Sequence, residues 1–499
     1  MTADIGRVVV ALDLSTTAAK AIAFDADGGV VASARSPLET SSPQPGWQEQ
    51  DADSWWTAAC ASLRALTSEV EPASLAAISI THQRETFVCL DEVGHPLRPA
   101  ILWLDSRSSA QVAALGSEEV HRISGRQPAT TTSIYKLAWL AEHEPDTMAR
   151  TATVADVHAF LVHRLTGGWT TSWASADPMG LVDLRTFDYS ERLLELAGIG
   201  RDRLPALAPP SAVIGEVTSA AAALTGLPAG LPVVAGAGDG QCAALGTAAV
   251  RPGEASLNLG TSVTLGTYSA EYRTGQAFRT VAHAVPGRWM PEAALASGTH
   301  SVEWFRAQVM RDTSPSALER VEAEAARTPP AAEGLLFLPY LVRAETPYWD
   351  PAARGAWVGL RDHHGLGHLH RALLEGIALE QALVLSMIEA EMGVPATSVR
   401  VMGGGARSRL WLEIIADVFE APVYASGLHD ATALGAAVLA AAALGLGGET
   451  DVAATARRMS RGWQEVVSDP MKRELYRRSA RAYRLLYPAL AEVFDAIES

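Results

Sequence analysis

The chain of 499 residues is short of cysteine and lysine and has no long apolar run. Its three cysteines, Cys60, Cys89 and Cys242, lie far apart in apolar surroundings. No CxxC pair and no Cys/His cluster occurs, so neither a zinc site nor a disulfide framework is expected. A reducing, cytoplasmic setting fits. No stretch of about 18 uninterrupted apolar residues is present, and no membrane span is expected. The opening residues lack the basic start and apolar core of a secretion signal. Lysine is confined to Lys20, Lys136 and Lys472. The formal net charge of −16 argues against a nucleic-acid partner. Missing too is GxxxxGK[ST], which removes the P-loop proteins. "GAGDGQ" puts Gln241, and "GGGARS" puts Ser408, where the last glycine of GxGxxG belongs, so a Rossmann reading is poor.

What is present is globular and large. At about 100–200 residues per domain, two large domains or three smaller ones are expected. Val8–Leu14 reads as a strand, "STTAA" as a small-residue turn, Lys20–Asp25 as a second strand and Val30–Arg35 as a third. "DADSWWTAACASLRAL" reads as an amphipathic helix. Ile78–Thr81 reads as a short strand ending at "HQRET", and the proline-rich Leu204–Gly215 as a loop-rich connection. A second strand–turn–strand unit follows, Ala255–Leu259, "GTS" and Val263–Tyr268. "ALDLSTTAAKAIAF" and "LNLGTSVTLGTY" share one pattern, which points to a duplication and two similar domains facing each other. Beyond it come a long helix in "LHRALLEGIALEQALVLSMIEAEM", strand, glycine turn and helix in "VRVMGGGARSRLWLEIIADVF", and an apolar helix in "ATALGAAVLAAAALGLG".

Five places could carry chemistry. Turns after the strands "VVVALDL" and "ASLNL" offer backbone N–H groups and the hydroxyls of Thr16, Thr17, Thr261 and Ser262 to an anion; ordinary hairpin turns fit equally. Asp13 ends a strand that otherwise reads as buried, so it needs either a structural partner or a cation such as Mg²⁺ beside a polyphosphate. In "HQRET", Arg84 can donate to and Glu85 accept from a vicinal diol, or the two form a surface pair. "WLDSR" adds Trp103, Asp105 and Arg107. Finally, "VVAGAGDGQCAALG" places a lone carboxylate, Asp239, among four glycines, between a strand ending at Val233–Ala235 and a helix expected over Cys242–Ala249. Asp239 is either that helix's N-cap or a carboxylate at the mouth of a cleft.

The order of "ALDLSTTAAKAIAFD", "QRET", "PLRPAILWLDSR", "AGDG", "LGTS", "TPYWDPAARGAWVGL", "LLEGIA", "GGGARSRLW" and "ATALGAA" resembles the FGGY family of carbohydrate kinases, with its xylulokinase, gluconokinase and glycerol kinase branches. The resemblance spans residues 8 to 445. It implies an α/β fold of two actin-like (RNase H-like) domains with a nucleotide and substrate cleft between them. Residues 1–250 would bind the sugar or polyol and carry the first phosphate turn and the catalytic aspartate. Residues 251–499 would bind the nucleotide and end in a helical tail. It implies ATP contacts at Asp13, Ser15, Thr16, Thr17, Lys20, Gly260, Thr261, Ser262, Gly404, Gly405, Ala406 and Ser408. It implies substrate contacts at Gln83, Arg84, Glu85, Trp103, Asp105, Asp239 and Gln241, with Asp239 as catalytic base. Mg²⁺ would be held through water by Asp13 and Asp239, and the assembly would be a homodimer.

Under this resemblance Asp239 takes the proton of a hydroxyl as that oxygen attacks the γ-phosphorus of MgATP. Positioning and charge stabilisation do most of the work. Closing of the two domains excludes water. The substrate is expected to be an open-chain ketose or polyol of three to five carbons, a pentulose such as xylulose ahead of glycerol, with a glyconate next. Gly240 stands where glycerol kinases have glutamine. Threonines 130–132 stand where that branch has an aromatic residue before the lysine of K-x-x-W, here Lys136. The Met-His of the gluconokinase and xylulokinase branches is replaced by "QRE". Other classes are an actin-like ATPase, a sugar sensor without phosphotransfer and a dehydrogenase; substrate-independent ATP hydrolysis, binding without turnover and NAD(H) binding would mark each in turn.

Overall fold

The computed structural model describes residues 6–427 and 430–498. The first five residues, part of the segment expected to lack a leader, lie outside the described residues. Strands β1 (Val8–Leu14), β2 (Ala18–Phe24), β3 (Val30–Pro37), β4 (Leu75–His82), β5 (Val213–Glu216) and β6 (Pro232–Gly238) build a six-stranded sheet in the order β5-β6-β4-β1-β2-β3. A seven-stranded sheet holds β7 (Glu254–Leu259), β8 (Val263–Thr267), β9 (Arg279–Ala282), β10 (Trp289–Leu295), β11 (Ser398–Met402), β12 (Val423–Ala425) and β13 (Gln464–Val466), in the order β9-β10-β8-β7-β11-β12-β13.

The expected duplication is visible in the wiring. In the first sheet β1 and β2 pair antiparallel, while β4 runs parallel to both β1 and β6. In the second, β7 and β8 pair antiparallel, while β11 runs parallel to both β7 and β12. Strands β3-β2-β1-β4-β6 thus repeat as β10-β8-β7-β11-β12. The central strands are apolar and β-branched, as burial on both faces requires; Val8–Leu12 is buried throughout.

Among the helices of the described residues are α1 (Ala52–Thr67), α2 (Ser133–His143), α3 (Asp239–Gly246), α4 (Leu366–Met392), α5 (Arg409–Val418) and α6 (Ala431–Ala443), of which α1, α3, α5 and α6 pack on these sheets. Helix α3 follows the last repeated strand of the first lobe, and α6 follows its counterpart in the second. The two pack on each other at backbone distance. A Cβ on Gly246 would lie 1.9 Å from the Ala431 carbonyl oxygen, and one on Gly435 would lie 1.9 Å from that of Cys242. Only glycine fits at either position. Helix α6 also buries its alanines in the same apolar core as Val9, Ala11 and Val234 of the first sheet. The division expected near residue 250 falls between α3 and β7, but the packing crosses it.

The loop-rich connection expected over Leu204–Gly215 holds the short strand Ala206–Ala208 and the start of β5, and its prolines lie outside both. Two local expectations need correction. Strand β4 starts at Leu75, earlier than its short apolar run implied. Helix α3 starts at Asp239, not Cys242, and its N-cap is Gly238.

Candidate active site

The parallel strands of the first lobe end together. Leu14 pairs with His82, and His82 with Gly238, so the segments that leave β1, β4 and β6 meet at one edge, where open α/β sheets place their ligand sites. These segments carry Ser15–Thr17, Gln83–Glu85 and Asp239. Asp239 is not a cap: no side chain caps α3, and its Oδ1 instead accepts the adjacent Gly240 N–H at 2.7 Å. Its side chain is 48% exposed and lies 3.1 Å from Arg84 Nε.

Asp13 and Lys20 face each other across the β1–β2 hairpin, which places them on one face of the sheet. Lys20 makes an ion pair with Asp430, just ahead of α6. Burial first, then the charge of Asp239, raises the Asp13 carboxyl to about 7; Lys20 pulls the other way and Asp430 adds to the rise. Asp13 thus feels the charges of Asp239 and Asp430, but among the described residues the three are not at direct ligand spacing, so a hard divalent cation, which takes oxygen ligands, would be held there through water.

Around Arg84 the charges interlock. Its Nη1 meets Glu292 Oε2 at 3.0 Å. Glu292, from β10 of the second lobe, also binds Arg279. Burial pushes the Glu292 carboxyl up, but Arg279 and Arg84 outweigh it and hold it at about 2. Glu85 has a left-handed backbone, with φ of 63°, and pairs with buried Arg126 and, at 3.8 Å, with Arg279.

Thr16 ties the turn after β1 to Gln83 and Trp103. Its Oγ1 donates to Gln83 Oε1 at 2.9 Å and accepts from Trp103 Nε1 at 3.0 Å. Buried Lys136, on α2, donates to the carbonyls of Leu102 and Thr131, each at 2.8 Å, and of Trp103 at 3.3 Å. Burial lowers its pKa to about 7. Ser15 closes its own turn, with Ser15 Oγ donating to the Ala18 carbonyl at 3.1 Å. Thr17 is exposed.

Two expected contacts lie inside the protein instead of at an open surface. Asp105 is fully buried and accepts from Arg107 through Nε (2.9 Å) and Nη2 (2.7 Å), and from the Gln48 N–H at 2.6 Å. Gln241 is fully buried, its amide donating to the Ala174 carbonyl and to Asp177. In the second lobe Gly260, exposed Thr261 and Ser262 join β7 to β8. Gly404–Ala406 lie between β11 and α5, and Ser408 Oγ caps α5 by accepting the Trp411 N–H at 3.2 Å. A cleft of about 680 Å³ beside them is lined by Gly403, Ala406, Arg407, Ala425 and Ser426.

One group has direct ligand spacing among the described residues, Glu333, His363 and His364 in the second lobe. His364 Nδ1 accepts the Arg361 N–H at 3.1 Å, which leaves the proton of the neutral ring on Nε2. That nitrogen is then a donor, not a metal ligand.

Residues 8–246 match the N-terminal domain of the FGGY family of carbohydrate kinases, and residues 255–444 match its C-terminal domain. The chain belongs to the FGGY family of carbohydrate kinases. It is 32% identical to the xylulose kinase of Escherichia coli K12 over 436 residues, covering 86% of this chain and 89% of that protein. It is 33% identical to the glycerol kinase of Bordetella parapertussis over 474 residues, covering 90% and 91%. The crystal structure of xylulose kinase from Rhodospirillum rubrum superposes with a TM-score of 0.89 at 33% identity, covering 98% of this chain and all of that one.

In this FGGY kinase the sequence reading missed Asp430, Arg126, Arg279 and Glu292. Asp430 carried a signal: it opens the second repeat's helix as Asp239 opens the first. The others carried none, because they sit in no motif and meet the site only through tertiary packing. Among the described residues no helix is long and apolar enough to cross a membrane.

Proposed function

We propose that this carbohydrate kinase transfers the γ-phosphoryl group of ATP to a hydroxyl of a pentulose such as xylulose, with Asp239 as the base. The observation that carries the reading is the position of Asp239. It is a half-exposed carboxylate at the first turn of α3, held by Arg84 and the Gly240 N–H beside the turn that follows β1. One carboxylate oxygen is oriented by these donors and the other is left to accept a proton. As the substrate oxygen bonds to the γ-phosphorus, its proton passes to Asp239 and the bond to the bridging oxygen of ADP breaks.

Arg84 is placed to donate to a substrate hydroxyl, and Trp103 forms a wall fixed by Thr16. Thr17, Thr261 and Ser262 supply donors to the phosphates, and the cleft beside Gly403–Ala406 takes the adenine end. Asp13, with Asp239, would hold Mg²⁺, which neutralises phosphate charge when bound. A pentulose is placed ahead of glycerol because Gly240 and Thr130–Thr132 depart from the glycerol kinase pattern, while relatives named for xylulose and for glycerol are equally similar overall.

The test is ADP release from MgATP over a panel of pentuloses, polyols and aldonates. D-Xylulose or another pentulose is expected to give the highest kcat/KM. Fastest turnover of glycerol or gluconate would move the substrate to that branch. ADP release indifferent to every acceptor would replace the kinase by an ATPase.

A further inference from the structure

We propose that Glu292, reaching over from the second lobe, is a positioning residue that sets Arg84 for the acceptor substrate, and that the absence of a side chain at Gly240 is what admits it. The inference rests on the reading that Arg84 holds the acceptor.

Arg84 is a long, flexible side chain that would otherwise lose much rotamer freedom on being fixed. Here it is gripped at two of its three nitrogens. Nε faces Asp239 at 3.1 Å and Nη1 faces Glu292 Oε2 at 3.0 Å. Nη2 has no hydrogen-bond partner among the described residues and lies over Gly240, 2.9 Å from where a Cβ would stand. The free donor thus lies beside Gly240, next in the chain to the candidate base.

Glu292 is 1% exposed and both of its oxygens are engaged, Oε2 by Arg84 and Oε1 by Arg279. A buried carboxylate shared between two guanidinium groups has a defined geometry, and deleting its charge leaves both arginines without compensation. The strands that carry it are docked on the first lobe independently of Arg84. Thr280 N–H donates to the Gly125 carbonyl at 2.8 Å, Ala282 N–H to Asp177 at 3.0 Å, and Trp289 Nε1 to the Leu184 carbonyl at 2.7 Å. Glu292 is therefore a fixed post against which Arg84 is held.

Gly240 completes the arrangement. A Cβ there would come within 2.9 Å of Arg84 Cζ, Arg84 Nη2 and Glu292 Oε2 at once. Any side chain at 240 has to move the ion pair aside. Gly240 and Glu292 are in this sense one specificity device: a glutamine at 240 and the Arg84–Glu292 pair exclude each other.

The experiment uses the full-length enzyme, MgATP and the acceptor it turns over best. Glu292→Gln is expected to raise the acceptor KM about 10- to 100-fold, as for loss of a hydrogen bond to a charged group, with the ATP KM within about twofold of wild type. Gly240→Ala is expected to do the same. The double variant is expected to be no worse than the weaker single one, because both changes break one contact. An unchanged acceptor KM in Glu292→Gln, equal rises in both KM values, or multiplying effects in the double variant would each overturn the proposal. If Glu292→Gln does not fold, Gly240→Ala decides alone: a raised acceptor KM at constant ATP KM supports it, and an unchanged one overturns it. Absence of acceptor-dependent ADP release in wild type would overturn the kinase reading itself, and this inference with it.

Discussion

Helices α3 and α6 are copies of one element, and each is preceded or opened by an aspartate, Asp239 in the first lobe and Asp430 in the second. Their surroundings differ. Asp430 is neutralised by Lys20, so its charge is spent within the protein. Asp239 is half exposed, with Arg84 beside one oxygen. The turns ahead of them differ in the same direction. "LDLSTT" carries Asp13 where "LNLGTS" carries Asn258. The same backbone occurs twice, but its aspartates have different partners: Asp430 pairs with Lys20, and Asp239 pairs with Arg84 through one oxygen and leaves the other free.

The largest expected effect is the one that tests this asymmetry directly. Asp239→Asn should lower kcat by about 10²–10⁴, the range for removal of a general base, while ATP binding by calorimetry stays intact. Asp430→Asn should cost about tenfold or less on the same scale. Equal losses would erase the difference between the two helices.

Next is the crossing of the helices, where the two lobes are alike. Gly246→Ala and Gly435→Ala each force a Cβ to 1.9 Å from a carbonyl oxygen. Each should destabilise by about 1–3 kcal/mol or more, as overpacking does, read as a lowered Tm. Clearly unequal shifts would show that the crossing is less symmetric than its backbone.

Lys136 belongs to the acceptor side alone. Lys136→Met should raise the acceptor KM about tenfold and leave the ATP KM unchanged, because three hydrogen bonds to the Leu102, Trp103 and Thr131 carbonyls are lost. With its folded pKa lowered to about 7, the unfolded chain binds more protons above that pH. The wild-type contribution of this group to stability therefore rises from pH 7 towards its ordinary value of about 10.4, and Lys136→Met should lose that rise.

The smallest effect has the opposite sign in pH. Asp13 holds its proton up to about 7 in the fold, whereas an ordinary aspartate releases it near 3.9. Its contribution to stability falls as pH rises between these values. Asp13→Asn, which copies Asn258 of the second lobe, should flatten that fall and raise the Tm of the ligand-free protein at pH 7 by a few degrees, given about 2–4 °C per kcal/mol. A lower Tm at pH 7 would mean that Asp13 stabilises the fold.

The hairpins, their small-residue turns and the duplicated plan were legible in the sequence because turn chemistry is local. Glycine, serine and threonine between two apolar runs leave few alternatives. Asp239 was legible as special but not as the first residue of its helix, since Gly238 can cap without leaving a side-chain signature. Arg126, Arg279 and Glu292 were not legible at all. Their roles come from sheet register and from the docking of β9 on the first lobe, which no short window encodes. The duplication did hold an unused clue: extending it from the turns to the helices would have paired Asp430 with Asp239.

The glycines at the α3–α6 crossing give the molecule a fulcrum. The helices meet there backbone to backbone, and α6 is anchored in the core of the first sheet, so any change in the angle between the lobes has to turn about that point. At 1.5 Å per residue, α6 is a lever of about 20 Å. The crossing at Gly435 lies about 12 Å from the far end of α6, so a tilt of about 10° there would move that end by about 2 Å. Asp430 and Asp239 stand at the starts of these two arms, so the angle between the lobes also meters the spacing between the Lys20 ion pair and the candidate base.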